Sequence, residues 1–326
     1  MSDNVGYSSV PETVSPDWAD YFESLPDPAD LPQLPPPDDF ESWRERNRVL
    51  EAERLAAGFG DPGPGIEVLE AEIGGIPVLD IRPEGWVEDG RALLYTHGGV
   101  HVAFTARSTI GNAARVVRAS GLRVVSVDYT IAPFARWQEI TDQVIAVFQG
   151  LVAEGSSYGQ LAIYGDSAGG SLAAGSVLKM RDLGLGTPAA VVMWSPWSDI
   201  TDTGDTYQTL DGVDGSYLYD LHLMPAAAAY ADPLDQKGPY VSPVYGDYSK
   251  GFPPTLIQGG TREIFLSNFI RHYQAIDAGG AEVKLDLYEG MPHSFQNKMT
   301  ESPEARLAVT KTVDWVLSRL GSGSPA

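Results

Sequence analysis

The sequence predicts an α/β fold, a mostly parallel central sheet flanked by helices, on two observations. Short apolar runs that read as core strands, such as Ala92–Thr96 and Ala190–Trp194, recur along the chain. Two more lead through a glycine-bearing loop into a helix: Gln160–Tyr164 into the small-residue helix Ser171–Leu178, and Pro254–Gln258 into a helix beginning near Ile264. With 326 residues and 43% hydrophobic content, the chain can bury a full core of this kind and still carry inserted segments.

Between Tyr164 and the helix stands Gly165-Asp166-Ser167-Ala168-Gly169. Glycine-sized neighbours permit a sharp strand-to-helix turn without a Cβ clash, and such a turn pushes the serine out of the sheet above the free N–H groups of the helix. Ser167 is therefore the predicted nucleophile. The pentad alone also fits an ordinary turn, so the reading depends on a base, an acid and oxyanion donors in the order that acyl transfer needs.

The base belongs on a loop after the last core strand. Val283–Tyr288 alternates like a half-buried strand and Gly290-Met291-Pro292-His293 follows it, which makes His293 the predicted base. Of the other histidines, His97 and His101 share a different loop, His222 lies in a tyrosine-rich insertion and His272 falls mid-helix. The orienting acid belongs after the preceding strand, where Gly259-Gly260-Thr261-Arg262-Glu263 offers Glu263; the alternative is a solvated glutamate at a helix start. Asp277, Asp286 and Glu289 suit that position less well.

Oxyanion donors are expected from His97-Gly98-Gly99-Val100, with the amides of Gly98 and Gly99 joined by that of Ala168. His97 and His101 have the spacing of a helical metal pair, but the two glycines between them argue against a helix. The loop also lacks the Lys-Ser/Thr ending and the three-glycine fingerprint of nucleotide sites. Neither a metal nor a nucleotide is therefore expected at this loop.

As a set, His97-Gly98-Gly99, Gly165–Gly170, Gly260–Glu263 and Gly290–His293 resemble the hormone-sensitive-lipase-like carboxylesterases of the α/β-hydrolase fold. Asp128–Pro133, with Asp142 beyond, resembles that family's pattern between the oxyanion loop and the serine. The resemblance spans roughly residues 60 to 320 and implies a serine esterase with a helical cap, often a homodimer, without metal or organic cofactor. Three positions depart from the family pattern. Val100 stands where a third glycine is usual, Glu263 where aspartate is common, and Phe134 where glutamate is frequent.

The formal charge of −22, without any lysine-arginine cluster, speaks against nucleic acid and anionic membrane surfaces as partners and favours a small neutral ester as substrate. There is no cysteine, hence no disulfide framework and no thiol chemistry. Met1–Tyr7 has no basic region or apolar core, and no stretch approaches the ~20 apolar residues of a membrane span, so a cytoplasmic enzyme is expected.

One catalytic domain is expected, with core segments 61–204 and 251–326 and cap segments 1–60 and 205–250. Ser15-Pro16-Asp17-Trp18 reads as a helix start capped by the serine, Pro26–Pro37 as a stiff spacer, and Asp39–Trp43 as the opening of an amphipathic helix ending near Gly58. Trp18, Tyr21, Phe22 and Trp43 are expected to face the core as a roof over the serine. In the second cap segment, Ala226–Ala229 reads as helical, and Tyr207, Tyr217, Tyr219 and Tyr230 suit a partly wet pocket wall, though such rings more often merely pack.

The function expected is a carboxylesterase for short-to-medium acyl esters, working through an acyl-enzyme. A lactone or small-amide hydrolase with the same residues, or a non-catalytic binding homologue, are the alternatives. A neutral His293 must accept the serine proton, so activity is expected to fall through the ordinary histidine range, near ~6.5.

Overall fold

The structure, a computed structural model, describes residues 11–322; the leader reading at Met1–Tyr7 lies outside them. Eight strands form one sheet: β1 (Ile66–Ile73), β2 (Ile76–Pro83), β3 (Ala92–Thr96), β4 (Arg123–Val127), β5 (Leu161–Asp166), β6 (Ala190–Trp194), β7 (Thr255–Gly260) and β8 (Val283–Tyr288). Their order is β1-β2-β4-β3-β5-β6-β7-β8, with β2 antiparallel to both neighbours and every other pair parallel. The five expected strands are present. β1, β2 and β4 extend the sheet beyond them.

Helices α1 (Asp17–Glu23), α2 (Phe40–Ala56), α3 (Ile110–Ser120), α4 (Trp137–Ala153), α5 (Ala168–Asp182), α6 (Thr206–Thr209), α7 (Met224–Tyr230), α8 (Leu266–Ala278) and α9 (Pro303–Leu317) surround the sheet. Every residue of β3 through β7 is buried, because helices cover both faces. Alternation persists inside these apolar runs. Leu94 and Ile163 join α4 and α5 in one core, whereas Leu93, Tyr95 and Tyr164 join α3 and α9 in another.

The sheet's antiparallel edge depends on Gly74 and Gly75, which close the two-residue turn between Ile73 and Ile76 at φ 60° and 79°. Both angles are left-handed, as such turns require. A Cβ on Gly74 would lie 2.1 Å from the Ala146 carbonyl of α4, whereas one on Gly75 would meet open space.

The N-terminal stretch packs differently from its reading. Pro16, not Ser15, occupies the N-cap of α1 and makes no side-chain cap. The backbone N–H and hydroxyl of Ser15 instead donate to Glu304 on α9, each at 2.8 Å, and the Trp18 indole donates to the same carboxylate at 3.1 Å. A carboxylate far along the chain outcompetes the local cap because it accepts all three donors at once. Trp18 and Phe22 are buried against Tyr288, Met291, Phe295 and Ala305. α2 is capped by Asp39 as its sequence suggests, but it is hardly amphipathic: Trp43 is its one fully buried side chain, while Phe40, Val49 and Leu55 are exposed.

Gly74→Ala is expected to destabilise by about 2 kcal/mol or more, through collision with α4, and Gly75→Ala by about 1 kcal/mol, through backbone strain alone. Urea unfolding followed by far-UV circular dichroism distinguishes the two.

Candidate active site

Ser167 sits between the end of β5 and the start of α5 at φ 55° and ψ −125°, a backbone conformation that non-glycine residues rarely adopt. Its N–H donates to Trp194 O at 2.8 Å and its carbonyl accepts from Trp197 at 3.1 Å. The flanking glycines are sterically required. A Cβ on Gly169 would lie 2.0 Å from Thr96 O, and one on Gly165 would lie 2.4 Å from Gly169 O.

His293 comes from the loop after β8. Its Nε2 lies 2.9 Å from Ser167 Oγ and its Nδ1 lies 2.8 Å from Glu263 Oε2. These partners assign the proton to Nδ1 and leave a lone pair at Nε2 facing the hydroxyl. Glu263 follows β7, and its second oxygen accepts from the Gly260 amide at 2.5 Å and the Ser195 hydroxyl at 2.7 Å. The rival acids lie elsewhere: Asp286 pairs with Lys311 at 2.7 Å, and Glu289 accepts from Thr13.

Gly98 and Gly99 line the same cavity as Ser167, and Ala168 is the first residue of α5, whose amide the helix cannot use. A Cβ on Gly98 would lie 3.1 Å from the Ser167 Cβ. At Gly99, with φ 115°, one would lie 2.3 Å from Ala103 O. The Gly98 N–H is 3.3 Å from Asp166 Oδ1, which also accepts from Tyr95 at 2.5 Å. Val100, where a third glycine was the expectation from resemblance, holds φ 47° and is buried.

Burial dominates the electrostatics. It pushes the His293 imidazole down to about 4, against the pull of Asp214 and Asp166. It pushes the Glu263 carboxyl up, against the hydrogen bonds from Gly260 and Ser195. His97 and His101 lie apart from this chain of bonds: His97 stacks on Tyr129 at 4.3 Å, and His101 stacks on Tyr230 at 3.8 Å. Among the described residues, no group of three or more His, Cys, Asp or Glu side chains is placed to hold a metal ion.

The cavity over Ser167 measures about 430 Å³, within the range of small-molecule sites. Of the four aromatics expected to roof the serine, Tyr21 alone lines it; Trp43 belongs to the main core. Of the four cap tyrosines, Tyr217 lines it, with its ring 5.5 Å from that of His293, while Tyr207, Tyr219 and Tyr230 pack within the core cluster.

Two supporting residues escaped the sequence reading. Buried Asp214 accepts the His293 N–H at 3.1 Å, and Ser195 accepts the Ser294 N–H at 3.0 Å while donating to Glu263. Ser195 carried a signal, since it directly follows the core strand β6. Asp214 carried none.

Comparison with known proteins agrees with this architecture. Residues 93–297 match a family described as having the alpha/beta hydrolase fold. LipR of Mycobacterium tuberculosis is 31% identical, over 80% of this chain and 83% of its own, and an acetyl-hydrolase of Streptomyces hygroscopicus is 29% identical, over 86% and 94%. The crystal structure of an esterase from the bacterial hormone-sensitive lipase family superposes with a TM-score of 0.81 at 28% identity, covering 90% of this chain and 94% of that one. The chain belongs to the α/β-hydrolase family, in its hormone-sensitive-lipase-like branch.

Proposed function

We propose that this chain is a serine carboxylesterase that hydrolyses short-to-medium acyl esters of small molecules through an acyl-enzyme. The observation that carries the reading is the unbroken chain Ser167 Oγ, His293 Nε2, His293 Nδ1, Glu263 Oε2, with links of 2.9 and 2.8 Å, opening on a cavity edged by Gly98 and Gly99. Similarity to the acetyl-hydrolase of S. hygroscopicus and to an ethyl acetate hydrolase from Pseudomonas putida supports an ester substrate.

In this mechanism His293 takes the Ser167 proton as the oxygen attacks the ester carbonyl. Negative charge then gathers on the carbonyl oxygen, where the amides of Gly98, Gly99 and Ala168 receive it. Glu263 keeps the Nδ1 proton in place and stabilises the imidazolium that forms. Collapse expels the alcohol with that proton, and water repeats the sequence to release the acid and restore the serine. The described part of residues 1–60, with residues 205–250, acts as the cap: Tyr21, Arg54 and Phe59 from the first, with Ser216 and Tyr217 from the second, close the cavity over the serine. Among the described residues no helix is long and apolar enough to cross a membrane.

A fluorophosphonate probe is expected to label the wild type and not Ser167→Ala, whose turnover of p-nitrophenyl acetate drops by about 10⁴ or more. Labelling that survives this substitution refutes the assignment. Glu263→Ala is expected to lower kcat by roughly 10² to 10⁴, and Asp286→Ala to leave it within about threefold.

The base must be uncharged, so kcat/KM falls as pH drops through the pKa of His293. Burial lowers that value, so the acid limb is expected well below ~6.5, toward about 4, with a plateau from pH 6 to 8. An acid limb centred at 6.5 or above contradicts the buried geometry.

A further inference from the structure

The chain as a whole carries twice as many acidic as basic residues, yet the space above the serine has the opposite balance. The cavity at Ser167 adjoins a second of about 360 Å³, and Phe59, Asn112, Asn297 and Lys298 line both. Across the two, Arg54, Arg115, Arg118 and Lys298 face only Asp166 and Glu301 as carboxylates. Both acids are engaged elsewhere, Asp166 by the Tyr95 hydroxyl and Glu301 by Arg306.

The cations, in contrast, are under-used. The Arg115 side chain makes no hydrogen bond and no ion pair within 4.0 Å among the described residues, and its Nη1 is buried without a partner. Burial lowers its guanidinium to about 10, so it remains charged at neutral pH. Lys298 meets only neutral partners, donating to the Ser216 hydroxyl at 3.2 Å and lying 5.4 Å from the centre of the Tyr21 ring. Its charge reaches the catalytic pair, favouring the ionised Glu263 and opposing protonation of His293. Arg54, clasped between the rings of Phe59 and Phe104 at 4.0 and 4.1 Å, spends its donors on the Ser108 carbonyl alone. The side-chain amide of Asn297, which lines both cavities, has buried nitrogen and oxygen atoms that both lack partners.

A buried guanidinium nitrogen and an unsatisfied buried amide are costly unless something fills them. We propose that this cleft selects esters that carry a carboxylate remote from the scissile bond, held between Lys298 and Arg115 while the ester carbonyl lies at Ser167. Asn112 and Arg115 are three residues apart on α3 and share one face of it; Asn112 lines both cavities and Arg115 the second. The expectation of neutral substrates came from the summed charge of the surface. A substrate inside the cleft meets the local lining instead, where a low-dielectric wall strengthens each interaction.

This proposal rests on the esterase reading, and the test separates the two. kcat/KM is measured for monoethyl succinate against its neutral isostere ethyl levulinate, and for acetoxyacetate against acetoxyacetone, which places the charge first on the acyl side and then on the leaving group. In the wild type, the anionic member of at least one pair is expected to be favoured by about tenfold or more, the worth of a charge-assisted hydrogen bond. Lys298→Met and Arg115→Met each reduce that ratio by about tenfold, and Lys298→Arg retains it. Because the result is a ratio, a loss common to both esters cancels. The wild-type comparison stands even where a variant fails to fold. Turnover of the neutral esters with ratios at or below one in both pairs overturns the anion site and leaves the esterase. Turnover of none of the four overturns both.

Discussion

The backbone at Ser167 is the constraint on which the site depends. A residue at φ 55° and ψ −125° persists only where its surroundings over-determine it, and here the hydrogen bonds to Trp194 and from Trp197 fix the turn from both sides. Gly169 and Gly165 leave room for β3 and α5 to meet at backbone contact, and the same closeness brings Gly98 beside the Ser167 Cβ. Nucleophile and oxyanion loop are thus positioned by one packing event. The imidazole reaches that point from the other side of the sheet order, on the loop after β8.

A buried acid-base pair needs hydrogen-bond partners to keep it in register, and this one finds them in four segments. Gly260 and Ser195 hold one Glu263 oxygen, His293 holds the other, and Asp214 holds the His293 backbone. Glu263 has one methylene more than aspartate, and the added reach is taken up by folding its carboxylate back onto the Gly260 amide of its own loop. Every donor spent on the pair offsets part of the desolvation cost of placing it beneath Tyr217 and Phe265.

What the sequence made legible was chemistry tied to local backbone form. Ser167 could be found because its turn demands small neighbours at fixed offsets, and Glu263 and His293 because each follows a readable strand. Ser195 and Asp214 act across 99 and 79 residues of chain; Ser195 is marked only by its place after a core strand, and Asp214 by nothing local. Ser15 was read as a cap for the same reason, since the carboxylate that claims it lies 289 residues away. β1 and β2 were legible and unread: Gly74-Gly75 between two alternating runs is a strong hairpin signal. The cleft's positive lining was hidden by the net charge, because a sum over the surface says nothing about how a few arginines and one lysine are distributed.

Glu304 gives the N-terminal arm a second part in the chemistry, beyond Tyr21 at the cavity wall. By gathering Ser15 and Trp18 onto α9, it seats Trp18 and Phe22 against Met291 and Phe295, the residues that bracket the imidazole in sequence. The arm is in effect a brace on the catalytic loop. A protease that clipped the chain just after Phe22 would leave the sheet's architecture standing and let the base drift from the hydroxyl, so such an enzyme would lose its function while still looking folded.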